Sequence, residues 1–341
     1  MKNKTPFNPF RYGIWVLLLF SFLTGFAFSG TFPGPSLSGV VVREALRIMV
    51  WSLKSRGAGI IDTGTASAQS HKQWKAPWGF SHMKYIVQGV PVELLVKKRG
   101  TPERVILLLH GGAYLMGLVD IYRDLGVRYS TISGGASVAL VDYRIAPEHT
   151  FPAALEDAEA VWNWLLEQGY REENIIVVGD SAGGNLSLAL ALKLRDEKRK
   201  MPKAIVCMSP WTDMTASGDS YRDNLYKDPI FGLFPWEKPT GNGQWIGNLY
   251  IGGHPLDDPY LSPAFGDYRG FPPMLIQVGA LEIIESDSLI VYERAKAAGV
   301  DVTLTRYEGM FHVFQLFGDF VPEVREAWEE VTDFLRWQFR R

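Results

Sequence analysis

The 341-residue chain predicts an α/β fold: a mostly parallel central sheet with helices on both faces and a helical cap. Three observations lead there. From Lys84 onward, short and nearly continuous apolar runs alternate with amphipathic helical stretches, the pattern of strands buried on both faces. One such run, Ile175-Ile176-Val177-Val178, turns through Gly179-Asp180-Ser181-Ala182-Gly183 into a stretch rich in leucine and alanine. Another, Val105–Leu109, ends on His110-Gly111-Gly112-Ala113-Tyr114.

The elements follow in order. Lys2, Lys4 and Arg11 precede an apolar run from Ile14 to Phe28, and the next charge is Arg43. Residues 1–29 therefore read as an export signal with Ala27 and Ser29 at its cleavage site, or as an uncleaved membrane anchor over 12–32. The alternative is a hydrophobic cap helix, which would leave the protein cytoplasmic. Within a cap region spanning 30–83, Leu37–Arg56 has helical spacing through Val41, Ala45, Met49 and Leu53. Lys84–Val87 and Val92–Lys97 are expected strands around the turn Gln88-Gly89-Val90-Pro91. Val105–Leu109, Ser137–Val141, Ile175–Gly179, Ala204–Ser209, Met274–Val278 and Asp301–Thr305 complete the sheet. Helices are expected over Arg123–Ser133, Ala153–Gln168, Gly183–Lys198, Asp287–Ala298 and Pro322–Arg336. The last carries Val324, Trp328, Val331 and Leu335 on one face. Residues 84–341 thus form the main domain. It is interrupted at about 215–263 by a segment rich in Gly, Pro, Tyr and Trp, too long for an idle loop. This insertion and the first helix are expected to cover the C-terminal strand ends, where α/β sheets hold their sites.

Composition narrows the function. With 47% hydrophobic residues the chain can bury a large core. A formal net charge of -2 and a pI near 6.3 argue against a nucleic-acid partner. The single cysteine, Cys207, excludes an intramolecular disulfide and any Cys-rich metal site. It lies inside an apolar strand and reads as an inert core thiol.

The chemistry is carried by Ser181. A strand that turns sharply into a helix around a serine, written G-x-S-x-G, is a nucleophile elbow. A serine hydroxyl needs a base, and in this arrangement the triad runs Ser, then Asp or Glu, then His. Of six histidines, His71, His82, His110 and His149 precede Ser181, and His254 falls in the insertion. His312, just after the last strand, is the base by elimination. The acid should follow Met274–Val278, where Glu282 comes first. Asp287 is expected to cap the helix it opens, and Glu285 to be a solvated charge. The glycine turn after Val105–Leu109 supplies an oxyanion hole through the N–H groups of Gly111, Gly112 and Ala113, joined by Ala182. His110 is expected to stabilise that turn.

HGGAY at His110, DYRIAPEHTFPAALEDA from Asp142, GDSAGG around Ser181 and GMFHVF around His312 together resemble the hormone-sensitive-lipase-like branch of the α/β-hydrolases. SPWTDMTASGDSY from Ser209 and IQVGALEIIESDS from Ile276 are most similar to bacterial acetyl hydrolases and monoterpene ε-lactone hydrolases. The resemblance spans Val105 to the C-terminus. It implies Ser181 as nucleophile, Glu282 as acid, His312 as base, an N-terminal cap over Leu37–Trp78, and no metal or organic cofactor. Many members have aspartate at the acid position, and the third glycine of the family's turn is Ala113 here. If that position needs positive φ, alanine costs about 1 kcal/mol.

The function expected is a serine carboxylic ester hydrolase acting on short-chain esters or lactones through an acyl-enzyme. An amidase or formamidase would use the same triad. A non-catalytic ligand receptor on this fold is disfavoured because such receptors lose the histidine. Trp74, Trp78, Tyr221, Tyr226, Trp236 and Trp245 are candidates for a pocket, although packing is the commoner fate of such side chains.

Overall fold

A computed structural model describes residues 34–56, 74–237 and 248–341. Its centre is an eight-stranded sheet in the order β1-β2-β4-β3-β5-β6-β7-β8. The strands are β1 (Phe80–Val87), β2 (Val90–Lys97), β3 (Thr101–Leu109), β4 (Ala136–Val141), β5 (Ile175–Asp180), β6 (Ala204–Met208), β7 (Met274–Gly279) and β8 (Val302–Tyr307). β2 runs antiparallel to β1 and to β4. Every other pair, from β4 through β8, is parallel.

The inner parallel strands, β4 to β7 and the second half of β3, read as nearly unbroken apolar runs because both of their faces are covered, whereas β8 at the sheet edge is partly exposed. Val105, Leu107 and Leu109 of β3 join one core with Val161, Trp162 and Leu165 of helix α3 (Ala153–Glu167) and Leu186 and Leu190 of α4 (Ala182–Asp196). The alternate residues Ile106 and Leu108 face the opposite core. There they meet Tyr122 and Tyr129 of α2 (Asp120–Ile132) and the buried stripe of the C-terminal helix α8 (Pro322–Arg340). That stripe contains the expected Val324, Trp328, Val331 and Leu335. Each such side chain, fully buried, contributes about 1.5–3 kcal/mol.

Helix α1 (Leu37–Lys54) forms as expected, with a different phase. The buried residues are Gly39, Val42, Leu46 and Val50, while Met49 is exposed. The helix is apolar around much of its circumference, so spacing alone does not select the inward stripe. Contact with α8 selects it. Ser36 caps α1 by accepting from the Gly39 amide at 3.0 Å, and its own Oγ donates to Glu323 of α8 at 2.7 Å. A Cβ on Gly39 would lie 2.7 Å from Met310 Cε, so the glycine permits the close approach.

Within 215–263, two single-turn helices are described, α5 (Ser220–Asp223) and α6 (Asn248–Ile251). This insertion is tied to α1: Arg47 donates to the carbonyls of Tyr226 and Lys227 at 3.2 and 2.6 Å, and Lys54 to that of Gly232 at 3.1 Å. The remaining helix, α7 (Glu285–Ala297), starts two residues before its expected Asp287. The expected signal or anchor over 1–29, with the wider 12–32 span, lies outside the described residues. Among the described residues, no helix is long and apolar enough to cross a membrane. Cys207 is buried in β6, and that burial pushes its thiol up.

The β1–β2 turn is shorter than expected. Val87 pairs with Val90, leaving two turn residues, Gln88 and Gly89, both at positive φ (50° and 92°). Val90 and Pro91 already belong to β2. Two-residue turns with positive φ at both positions match the twist of the flanking strands and favour Asn-Gly. Gln88→Asn should therefore stabilise the protein by about 0.5 kcal/mol, raising Tm by roughly 1–2 °C in thermal unfolding, with turnover unchanged.

Candidate active site

β5 ends at Asp180 and α4 begins at Ala182, so Ser181 alone makes the turn, at φ 51° and ψ −119°. This conformation is costly for a residue with a Cβ and persists only where the surroundings impose it. The flanking glycines explain how. A Cβ on Gly179 would lie 2.2 Å from the Gly183 carbonyl oxygen. One on Gly183 would lie 2.0 Å from that of Leu109 and 2.6 Å from that of His110. Backbone touches backbone at both points, bringing the elbow against the end of β3. The Ser181 amide donates to Met208 O at 2.9 Å, and its carbonyl accepts from Trp211 N at 3.1 Å.

His312 follows β8 on a loop and comes back to the same sheet rim. Its Nε2 lies 2.9 Å from Ser181 Oγ, and its Nδ1 lies 2.9 Å from Glu282 Oε2. All three side chains are buried. Glu282 comes from the turn after β7. Its other oxygen accepts from the Gly279 amide at 2.5 Å and from Ser209 Oγ at 2.7 Å. Burial raises the Glu282 pKa, opposed by His312, Ser209 and the Gly279 amide. Ser209 Oγ also accepts from the Val313 amide at 3.1 Å, joining the acid to the loop that carries the imidazole. The sequence marks this bridging position only through the SPWTD motif at the end of β6. Phe231, from the insertion, stands against His312 with ring centroids 4.9 Å apart.

The neighbouring acids depart from expectation. Asp287 does not cap α7: the N-cap is Ile284, and Asp287 sits fully buried in the first turn. Its Oδ2 accepts from the amides of Thr212 and Asp213 at 2.7 and 2.8 Å. Burial, with Asp213 close by, pushes its pKa well above the ordinary aspartate value. Glu285 is not solvated either; it is buried, ion-paired to Arg306, and accepts from Asn224 Nδ2 at 3.0 Å.

The glycine turn is partly different from its expected form. The Gly111 amide is already committed, to Tyr122 Oη at 2.9 Å and Asp180 Oδ1 at 3.1 Å, so Gly111 leaves the set of oxyanion donors. The amides of Gly112, Ala113 and Ala182 have no acceptor among the described residues. Ala113 does adopt positive φ, 55°, and Tyr114 follows at 60°. Tyr114 anchors that end of the turn: Oη donates to Asn185 Oδ1 at 2.8 Å, and the ring stacks on Tyr250 at 3.7 Å. His110 stabilises the turn as expected. Burial lowers its pKa, Nδ1 donates to Gly111 O at 2.8 Å, and the ring stacks on Tyr143 at 4.1 Å. Burial also pushes the Asp180 carboxyl up to about 6, against the pull of Tyr122, His312 and Gly111.

The aromatic candidates disperse. Trp78, Tyr226 and Trp236 are exposed, Trp74 donates to Asp124 at 2.9 Å, and Tyr221 donates to Asp213 O at 3.2 Å. Trp245 lies outside the described residues.

A strained serine elbow, an imidazole and carboxylate in line, and a glycine turn beside them on a parallel sheet define a class of hydrolase. The chain belongs to the alpha/beta hydrolase fold family, whose model matches residues 106–316. It is a carboxylic ester hydrolase of the hormone-sensitive-lipase branch, as its relatives indicate. It is 37% identical over 233 residues to an acetyl-hydrolase of Streptomyces hygroscopicus, covering 68% of this chain and 75% of that protein. An esterase of Acinetobacter venetianus is 34% identical over 239 residues, covering 70% and 77%. Among solved structures it is similar to the esterase EstE5 soaked with p-nitrophenyl butyrate, at TM-score 0.78 and 33% identity, covering 90% of this chain and 100% of that one. An esterase from the bacterial hormone-sensitive lipase family matches at TM-score 0.72 and 31% identity, covering 99% of each chain.

The two buried acids should separate cleanly. Glu282→Ala should lower kcat by about 10³–10⁴-fold. Asp287→Asn should leave kcat of the folded enzyme within a few-fold while costing about 1–3 kcal/mol of stability, read by denaturant unfolding.

Proposed function

We propose that Ser181, His312 and Glu282 form the catalytic triad of a short-chain esterase or lactonase working through an acyl-enzyme. The observation that carries the reading is the unbroken line Glu282 Oε2–His312 Nδ1 and His312 Nε2–Ser181 Oγ, 2.9 Å at each step. Ser181 Oγ attacks the acyl carbon as His312 Nε2 takes its proton. Glu282 holds Nδ1 protonated and stabilises the imidazolium, without taking the proton itself. The amides of Gly112, Ala113 and Ala182 receive the oxyanion, and the positive N-terminal end of α4 adds to the attraction. One such donor is typically worth about 3 kcal/mol of barrier. Collapse of the tetrahedral intermediate breaks the ester C–O bond, and His312 returns its proton to the leaving alkoxide. Water, activated by His312, then releases the acid and restores Ser181.

Small acyl groups are supported by the acetyl-hydrolase name of one relative and by the p-nitrophenyl butyrate soaked into a structural neighbour. Phe231, placed over the imidazole, supports a confined approach through the insertion. Residues 30–83 and about 215–263 are accordingly proposed as the cap of the 84–341 catalytic domain. The basic and then apolar sequence of residues 1–29 is proposed as an export or anchoring segment; mass spectrometry of the N-terminus of the mature protein, with cell fractionation, tests it.

A series of p-nitrophenyl esters should show the highest kcat/KM at short acyl chains, with the corresponding anilides far slower. Ser181→Ala and His312→Ala should each lose about 10⁵–10⁶-fold in kcat while remaining folded by circular dichroism. Full turnover in Ser181→Ala would refute the assignment, and preferred hydrolysis of the anilides would make the enzyme an amidase.

A further inference from the structure

We infer that Tyr122 and Asp180 are positioning residues that lock the oxyanion turn in its productive shape. The inference rests on the reading of Ser181 as nucleophile and of the glycine turn as its oxyanion hole. Three groups close a triangle of hydrogen bonds. The Gly111 amide donates to Tyr122 Oη at 2.9 Å and to Asp180 Oδ1 at 3.1 Å, and Tyr122 Oη donates to Asp180 Oδ2 at 3.0 Å. Both carboxylate oxygens are used, and all three residues are removed from solvent or nearly so.

The triangle joins elements far apart in sequence. Gly111 stands two residues past the end of β3, Asp180 ends β5 immediately before Ser181, and Tyr122 lies in the first turn of α2. The contact is also steric. A Cβ on Gly111 would lie 2.3 Å from Asp180 Oδ2, so the peptide rests directly on the carboxylate. Asp180 therefore couples the turn to the strand end that sets the serine.

Such a coupling has a physical task. Gly112, Ala113 and Tyr114 occupy positive φ in succession, 114°, 55° and 60°. Two of these carry a Cβ, and such strain is held only by compensating contacts. Tyr114 is fixed from beyond the turn by Asn185, and the triangle fixes the other end. Between the two, the Gly112 and Ala113 amides keep an orientation that needs no rearrangement when charge develops, which is where an oxyanion hole derives its effect. Asp180 acts through this geometry; its own negative charge has the wrong sign to stabilise an oxyanion.

A tetrahedral intermediate should feel loss of the clamp more than bound substrate does. Tyr122→Phe deletes the hydroxyl at the apex with little change in volume. Its control is Tyr129→Phe on the same helix, where another buried hydroxyl faces Met208 Sδ at 3.8 Å and makes no hydrogen bond to Gly111 or Asp180. With p-nitrophenyl butyrate, Tyr122→Phe should lower kcat about tenfold or more with KM within threefold. The inhibition constant of a trifluoromethyl ketone, which binds as a tetrahedral adduct on serine, should rise by a similar factor. Asp180→Asn should follow the same pattern. Tyr129→Phe should keep kcat and the inhibition constant within twofold, whatever its effect on Tm. Wild-type-like kcat and inhibitor affinity in folded Tyr122→Phe would overturn the inference, as would equal losses in Tyr129→Phe. Labelling of Ser181 by a fluorophosphonate separates the two readings. If the wild type labels there and Tyr122→Phe is silent in these assays, only the clamp fails; if Ser181 of the wild type does not label, the triad reading fails and takes the clamp with it.

Discussion

The site depends on one constraint, the contact of bare backbone at Gly179 and Gly183. No side chain fits between Gly179 and the Gly183 carbonyl, or between Gly183 and the carbonyls that end β3. These contacts allow helix α4 to start hard against the sheet and leave Ser181 in a conformation it would otherwise abandon. Because β3 and β5 are parallel and paired in register from Val105 with Ile175 to Leu109 with Gly179, the glycine turn and the serine emerge side by side. The parallel pairing of β5 through β8 brings Ser209, Glu282 and His312 to the same rim. Parallel strands release their connections at one edge, and the site is assembled there from residues that are distant along the chain.

What the sequence disclosed, and what it withheld, divides along the range of the interactions. The elbow is a local pattern, and chain order left one histidine in the right place. The sheet was legible because fully buried strands leave unbroken apolar runs. The sequence points to Gly111 as an oxyanion donor, but the groups that claim its amide, Tyr122 and Asp180, come from elsewhere in the fold. Asp287 and Glu285 differ from expectation for the same reason: their partners are the Thr212 and Asp213 backbone in one case and Arg306 and Asn224 in the other. Helix α1 is legible as a helix but not in its rotation, since apolar residues lie on more than one of its faces and the side that turns inward is set by long-range packing of Val42, Leu46 and Val50, with Gly39 against Met310 and Ser36 bonded to Glu323.

Polar burial at this rim is extensive, and much of it is satisfied, although His110 Nε2 and Asp287 Oδ1 are buried without a hydrogen-bond partner. Glu282 is enclosed but receives an amide, a hydroxyl and an imidazole. An uncompensated buried carboxylate would cost several kcal/mol, so each of these donors supports the ionised form. Ser209 has a double part. By donating to Glu282 and accepting from Val313, it makes the acid turn and the histidine loop share a single anchoring point.

The lone thiol has a consequence for where such an enzyme can mature. Cys207 is buried within β6, and that burial pushes its thiol pKa up. With no second cysteine in the chain, folding calls on neither an oxidant nor a thiol isomerase. The same native state is therefore within reach in a glutathione-rich interior and in an oxidising exterior, and redox conditions do not decide on which side of a membrane the fold can be completed.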